Sequence, residues 1–179
     1  MNITESDLEA EIERFGHRRR QVIRRVLAGL ETHVPHGLAL AIGSRETNLA
    51  NIVGDAGHGR GVFQQDDRFQ RAFLARTPGC ASGSYRATFA DALGPGRVPT
   101  LAAGCRRMAR IVDSNVALAV HFGIPRRPQL RFAVAAYNGG AGNALKGWHE
   151  FRDVDRFTTG HDYSEDVFAR WSVIREIGL

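Results

Sequence analysis

Glycine stands at every second position from 57 to 61 in the run Gly54-Asp-Ala-Gly-His-Gly-Arg-Gly61. No other stretch restricts the fold as strongly. Each glycine inside a helix costs about 1 kcal/mol relative to alanine, and alternating glycines open positive φ and close backbone approach. Residues 54–61 are therefore read as non-helical, and 49–66 as a small β-ribbon in which Val62-Phe-Gln-Gln-Asp66 leaves the loop as a short strand. Two acids, Asp55 and Asp66, bracket the glycine run, and a third, Glu46, precedes it.

Glu46 follows Leu38-Ala-Leu-Ala-Ile42, which is apolar all round and predicts a buried helix opened by Pro35. A carboxyl on an apolar floor keeps its proton more easily, because desolvation disfavours the ionised form. A group of that kind can act as a general acid near neutral pH. For an isolated glutamate the commoner fate is a helix end that reaches solvent, but this one faces two further carboxylates. One carboxylate leaving a buried helix opposite a polar loop with two others is the arrangement glycoside cleavage needs. A phosphate-binding reading of the glycines fails on context: no parallel strand precedes them, no Lys-Ser/Thr follows and no helix opens after them.

The remaining chain reads as mostly helical. Ser6-Asp-Leu-Glu9 has the form of a capping box. Leu8, Ile12, Phe15, Val22, Val26 and Leu30 then give an amphipathic stripe to about residue 30, weakened at Gly16. Arg68 to Arg76 predicts a short helix with Phe69, Phe73 and Leu74 inward, and Thr77–Pro99 is rich in loop signals. Thr100 caps a long helix whose stripe runs from Leu101 to Phe122, with Gly123 stopping it. Pro128 opens another helix to about Ala136, ended by Tyr137-Asn-Gly-Gly-Ala-Gly-Asn143, with a further helix to Trp148. An aromatic ring with amides on a glycine turn suits a sugar, although such a turn is as often a plain helix corner. Thr158-Thr-Gly-His-Asp-Tyr-Ser-Glu-Asp166 leads into a last helix burying Val167, Trp171 and Ile174. The expected fold class is α+β, predominantly helical, in one domain over 1–179.

Composition narrows the partners without choosing among them. The net charge of +5 and the pI near 10.0 favour anionic polymers: nucleic acid, phospholipid or acidic wall polymer. The densest basic cluster, His17 to Arg20 with Arg24 and Arg25, reads first as a solvated helix face. No apolar run reaches the ~18 residues of a membrane helix, and the N-terminus lacks a secretory-signal pattern. Cys80 and Cys105 leave free thiols and a single disulfide equally open. No metal-ligand spacing occurs, so no metal and no cofactor are expected.

Three blocks of this sequence resemble the goose-type lysozymes. Ser-Arg-Glu46 followed by Gly-Asp55-x-Gly-x-Gly-x-Gly-x-x-Gln64-x-Asp66 is similar to their signature. Ala136-Tyr-Asn-Gly-Gly-Ala-Gly-Asn143 is similar to their Ala-Tyr-Asn-Ala-Gly-Ala-Gly-Asn turn, and Thr158 to Arg170 matches their C-terminal segment in order. The blocks span roughly 40–175, and soluble lytic transglycosylases share the first two in weaker form. The resemblance implies a lysozyme-like fold and cleavage of the β-1,4 bond between N-acetylmuramic acid and N-acetylglucosamine. It makes Glu46 the general acid and gives Asp55 and Asp66 the attacking water. Gln64, Tyr137, Asn138 and Tyr163 would line the sugar cleft, and His58 and Arg60 on the glycine loop would touch substrate. The sequence departs from the family in a shorter Glu46–Asp55 spacing, in Val62-Phe63 for the usual Leu-Met, and in Gly139 for the usual Ala. Residues 67–99 match nothing in the family and are expected to rim the cleft.

Hydrolysis with inversion requires both acid and base, whereas a lytic transglycosylase needs only the acid, since the muramyl 6-hydroxyl attacks. The two aspartates favour the hydrolase. A rival of another class is a basic, non-catalytic module binding wall glycan or nucleic acid, in which the three carboxylates would have no role. The expected partner is bacterial peptidoglycan, with no nucleic acid and no membrane insertion. The chain is expected to act as a monomer at the bacterial wall, secreted or phage-encoded and released.

Overall fold

The computed structural model describes residues 3–85, 94 and 96–179. Residues 86–93 and 95, part of the expected cleft-rim insertion, lie outside the described residues. Helix α1 (Glu5–Phe15) starts earlier than the Ser6–Glu9 box suggests: Thr4 is extended, and its hydroxyl accepts the Asp7 N–H. Gly16, at φ +87°, breaks the expected single helix into α1 and α2 (His17–Ala28). Extended Pro35 precedes α3 (His36–Thr47), in which Leu38, Ala39, Leu40, Ala41 and Ile42 are all fully buried. This helix packs against α2 and the last helix, α8 (Tyr163–Glu176).

Between them lies a three-stranded antiparallel ribbon, β1 (Val53–Gly54), β2 (Gly59–Arg60) and β3 (Gln65–Asp66), with a 3₁₀ turn over Asp55–Gly57. The expected strand over Val62–Asp66 is only Gln65–Asp66. Val62 and Phe63 turn inward instead, at 2% and 1% exposure, and Gln64 takes φ +44°. Val62 lies against Gly43 of α3, and Phe63 reaches towards Gly43 and Gly104. The ribbon is thus held by two apolar side chains on the helical core, since strands this short have no independent stability.

Helix α4 (Asp67–Leu74) buries Leu74, while Phe73 is half-buried. Phe69, expected inward, is 84% exposed, because the helix is kinked at Gln70 (φ −117°, ψ 20°). A two-stranded sheet follows, β4 (Gly79–Ala81) with β5 (Arg97–Pro99). Thr100 caps α5 (Leu101–His121), its hydroxyl accepting the Ala103 N–H. Phe122 lies past the end of this helix and is 45% exposed, so the stripe ends before it. Helix α6 (Arg126–Gly139) opens two residues before Pro128 and continues past Ala136, which makes Tyr137 and Asn138 helical. Gly140, at φ +81°, separates it from α7 (Ala141–Phe151).

The main core joins α1, α2, α3, α5, α6 and α8, and a smaller one forms around Phe132, Ile124, Ala144 and Val154. Trp171, expected buried on α8, is only partly so. Cys80 on β4 and Cys105 on α5 are both free and buried. No helix is long and apolar enough to cross a membrane among the described residues.

The contact of Val62 with α3 can be tested at Gly43. A Cβ there would sit 2.9 Å from Val62 Cγ1 and 3.0 Å from Leu49 Cδ2. Gly43→Ala is expected to lower the unfolding free energy by about 1–3 kcal/mol through overpacking, measured by urea denaturation; an unchanged midpoint would show that the ribbon yields freely.

Candidate active site

A cleft of about 720 Å³ opens between the ribbon, α4 and the turns that follow α6 and precede α8. Glu46 lines it from the last turn of α3. Burial pushes the Glu46 carboxyl up to about 7, despite the opposing effects of the Tyr163 hydroxyl and the Arg45 charge. The Tyr163 hydroxyl donates to Glu46 Oε1. Tyr163 is itself only 2% exposed, and both burial and the nearby Glu46 raise its own pKa well above the usual phenol value. The hydrogen bond therefore runs from a firmly protonated phenol to the acid.

Arg45 and Ser44, on the turn that carries Glu46, are tied to α8. Arg45 Nε lies 3.1 Å from Asp166 Oδ2 and its Nη2 3.2 Å from Asp162 Oδ1. Arg170 Nε donates to the same Asp166 oxygen at 2.9 Å, and Arg170 Nη1 donates to the Ser44 hydroxyl at 2.7 Å. Glu11 of α1 is buried alongside, with its carboxyl raised by desolvation and pulled back by Ser44 and Arg170. These charges fix the orientation of the helix end behind Glu46.

The ribbon forms the opposite wall. Asp55 stands exposed on the glycine turn at φ +47°, and Asp66 caps α4 by accepting the Arg68 N–H. Arg68 joins the two, with Nη2 at 2.6 Å from Asp55 Oδ2 and 2.5 Å from Asp66 Oδ2. Its hydrogen bonds hold the Asp66 carboxyl below the usual aspartate range. Gln64 lies across the ribbon, and its side-chain oxygen occupies the space where a Cβ on Gly54 or Gly59 would stand. Its Nε2 donates to the Gly61 carbonyl at 2.8 Å. Glycine at 54 and 59 is what lets this side chain lie flat in the cleft wall.

Of the nine residues singled out in the sequence, the cleft gathers seven: Glu46, Asp55, Gln64, Asp66, Tyr137, Asn138 and Tyr163. The Tyr137 hydroxyl donates to the Phe63 carbonyl, and Asn138 Oδ1 accepts the Thr159 N–H at 2.9 Å. The first bond ties α6 to the ribbon and the second ties it to the turn before α8. His58 and Arg60 are turned elsewhere. Asp67 accepts Arg60 Nη2 at 2.6 Å on one oxygen and lies 2.9 Å from His58 Nδ1 on the other. A carboxylate beside the loop draws both side chains from the cleft, and Arg60 also bonds the Arg97 carbonyl. Their placement fits a role in holding the loop to α4 and β5.

Sequence reasoning missed Arg68 and Phe69, which also line the cleft. Arg68 had a faint signal, an arginine two residues after a capping aspartate; Phe69 had none, since its apolar spacing pointed to the core. No group of three or more His, Cys, Asp or Glu among the described residues is arranged to hold a metal ion. No family model and no curated protein matches the chain.

The site therefore has a carboxyl that holds its proton to near neutrality on one side and an ionised, arginine-clamped carboxylate on the other. Such a split supplies one proton donor and one group able to polarise water. Because Glu46 is raised from 4.5 in the folded state, the folded protein binds more protons than the unfolded chain between about 4.5 and about 7. Its contribution is fully favourable below the unfolded pKa and is lost as pH rises through the folded one. Glu46→Gln is expected to stabilise the protein at pH 8 by up to about 3 kcal/mol relative to wild type and to make little difference at pH 4, as measured by thermal melts. An equal effect at both pH values would show that the carboxyl titrates normally. Arg68→Met is expected to return the Asp66 pKa towards the ordinary aspartate value, followed by carboxyl ¹³C NMR; an unmoved midpoint would assign the lowering to another group.

Proposed function

We propose that this chain is a peptidoglycan-cleaving glycosidase of lysozyme-like fold, a muramidase acting on the β-1,4 bond between N-acetylmuramic acid and N-acetylglucosamine. The observation that carries the reading is Glu46, a half-buried residue whose carboxyl is raised to about 7 and which lines an open cleft together with Asp55 and Asp66. Cleaving a glycosidic bond requires protonating a poor leaving oxygen, and an acid that keeps its proton near pH 7 does so without an acidic medium. The likeness of the three sequence blocks to goose-type lysozymes supports the same assignment.

In this reading the polymer lies along the cleft. Glu46 gives its proton to the leaving oxygen while Tyr163 holds the carboxyl and stabilises the carboxylate that forms. Asp55 and Asp66 hold and polarise a water on the other face of the sugar, giving inversion. Gln64, Asn138 and Tyr137 shape the wall, and the basic surface draws the enzyme to anionic bacterial wall. The wall is then its place of action, whether it arrives by secretion or by phage release.

One observation favours a second reading. Arg68 engages Asp55 and both oxygens of Asp66, and a carboxylate held by a guanidinium is a weaker base towards water. A lytic transglycosylase, in which the muramyl 6-hydroxyl attacks and no water base is needed, would tolerate that clamp.

Glu46→Gln is expected to abolish clearing of purified walls while the protein stays folded by circular dichroism; a folded variant that still clears walls would remove Glu46 from the mechanism. Mass spectra of the products then divide the two chemistries. Reducing muramyl ends are expected, and 1,6-anhydro ends would assign the transglycosylase. Wall binding without clearing by wild type would assign a non-catalytic module.

A further inference from the structure

Helix α4 leaves one of its two phenylalanines in solvent at the mouth of the cleft. Phe69 is 84% exposed and lines the cleft, although its partner one turn on, Phe73, is half-buried with the Arg107 guanidinium 5.4 Å from its ring centroid. In a regular helix, residues four apart share a face, so Phe69 would have followed Phe73 inward. Two fixtures prevent this. On one side, Asp66 caps the helix and clamps Arg68, whose guanidinium carbon lies 5.9 Å from the Phe69 ring centroid. On the other, the backbone is bent at Gln70, whose side-chain oxygen accepts Arg107 Nε at 2.9 Å. The ring is thus held out by built contacts on both flanks, beside the carboxylate wall of the cleft.

A binding cleft made of polar groups orients a ligand, and apolar and aromatic surface supplies much of its affinity. Here the polar groups are abundant, and among the described residues Phe69 is the one aromatic ring in the cleft lining that is mostly exposed. A rigid ring has the geometry to cover the CH face of a pyranose, while the neighbouring amide of Gln70 and the Gly139–Gly140 backbone offer polar partners. A Cβ on Gly140 would meet nothing within 4 Å, so that backbone is open to the cleft.

We propose that Phe69 is the stacking platform of a sugar subsite at the mouth of the cleft, taking the apolar face of an N-acetylhexosamine on the side of the bond where Asp55 and Asp66 stand. The ligand class rests on the glycosidase reading; the platform rests on the kinked helix and the exposed ring. Phe69 acts in binding rather than in bond cleavage, so its loss raises KM and leaves kcat nearly alone.

The test uses the full chain and a β-1,4-linked tetramer of N-acetylglucosamine. In a Glu46→Gln background, Phe69→Ala is expected to weaken tetramer binding about tenfold by calorimetry, about 1.4 kcal/mol. Phe69→Trp is expected to restore it. In the active protein, Phe69→Ala is expected to raise KM on peptide-stripped wall glycan by a similar factor, with kcat changed by less than about twofold. Unchanged affinity and KM in Phe69→Ala, a Phe69→Trp variant as weak as the alanine, or no tetramer binding by the parent would each overturn the subsite. Tetramer binding that depends on Phe69 without any cleavage by wild type would keep the subsite and remove the glycosidase reading. Cleavage indifferent to Phe69 would do the reverse.

Discussion

Burying a carboxyl at the end of an apolar helix is the costly act on which the rest of this structure turns. Glu46 stands in the last turn of a helix whose Leu38–Ile42 segment is wholly buried, and desolvation lifts its carboxyl to about 7. A helix end in such a place brings its own unsatisfied carbonyls and neighbouring charges with it. The carbonyls are met locally, Gly43 by the Leu49 N–H and the Thr47 hydroxyl and Ser44 by the Asn48 N–H, while Arg45 pairs with Asp162 and Asp166, and Arg170 with Asp166 and the Ser44 hydroxyl, from α8. Buried ion pairs contribute little net stability and are strongly destabilising when half broken. Their value here is geometric: they let Glu46 point in one direction only.

The opposite wall obeys a different constraint. Three strands of two residues each cannot hold themselves together, so the ribbon borrows its shape from Val62 and Phe63 packed onto α3 and α5. The Tyr137 hydroxyl on the Phe63 carbonyl ties the same point to α6. The carboxylates the ribbon presents lie nearer solvent, and Arg68 binds both of them. One cleft therefore contains carboxyl groups pushed in opposite directions, Glu46 upward by desolvation and Asp66 downward by a guanidinium. That separation, rather than the number of acids, is what gives the site distinct proton-donating and proton-accepting sides.

Asp67 shows how one residue redistributes the others. It follows Asp66 directly in the chain, yet turns its carboxylate to His58 and Arg60 and leaves the cleft to its neighbour. The two side chains that the glycine loop seemed to offer to a ligand, His58 and Arg60, are used to fasten the loop. Arg68, which does face the cleft, arrives from the helix that Asp66 caps.

The sequence by itself determined the periodic and conformational features. The buried helix ending at Glu46, the non-helical glycine run, the Thr100 cap and the order of the helices are local properties, legible from apolar spacing and from residues that favour or forbid a given φ. It also picked out seven of the residues that line the cleft: Glu46, Asp55 and Asp66 from carboxylates placed around a glycine run, and Gln64, Tyr137, Asn138 and Tyr163 through the resemblance of three sequence blocks. Only the tertiary structure decided which way side chains with competing partners point. Phe69 left the core where a cap and a kink turned its helix, and His58 and Arg60 left the cleft for the Asp67 carboxylate. Val62 and Phe63 left the expected strand because the core of α3 and α5 had room for them. Pairings between residues distant in the chain depend on distances that no local pattern encodes, and electrostatics and packing settle them only once the helices have met.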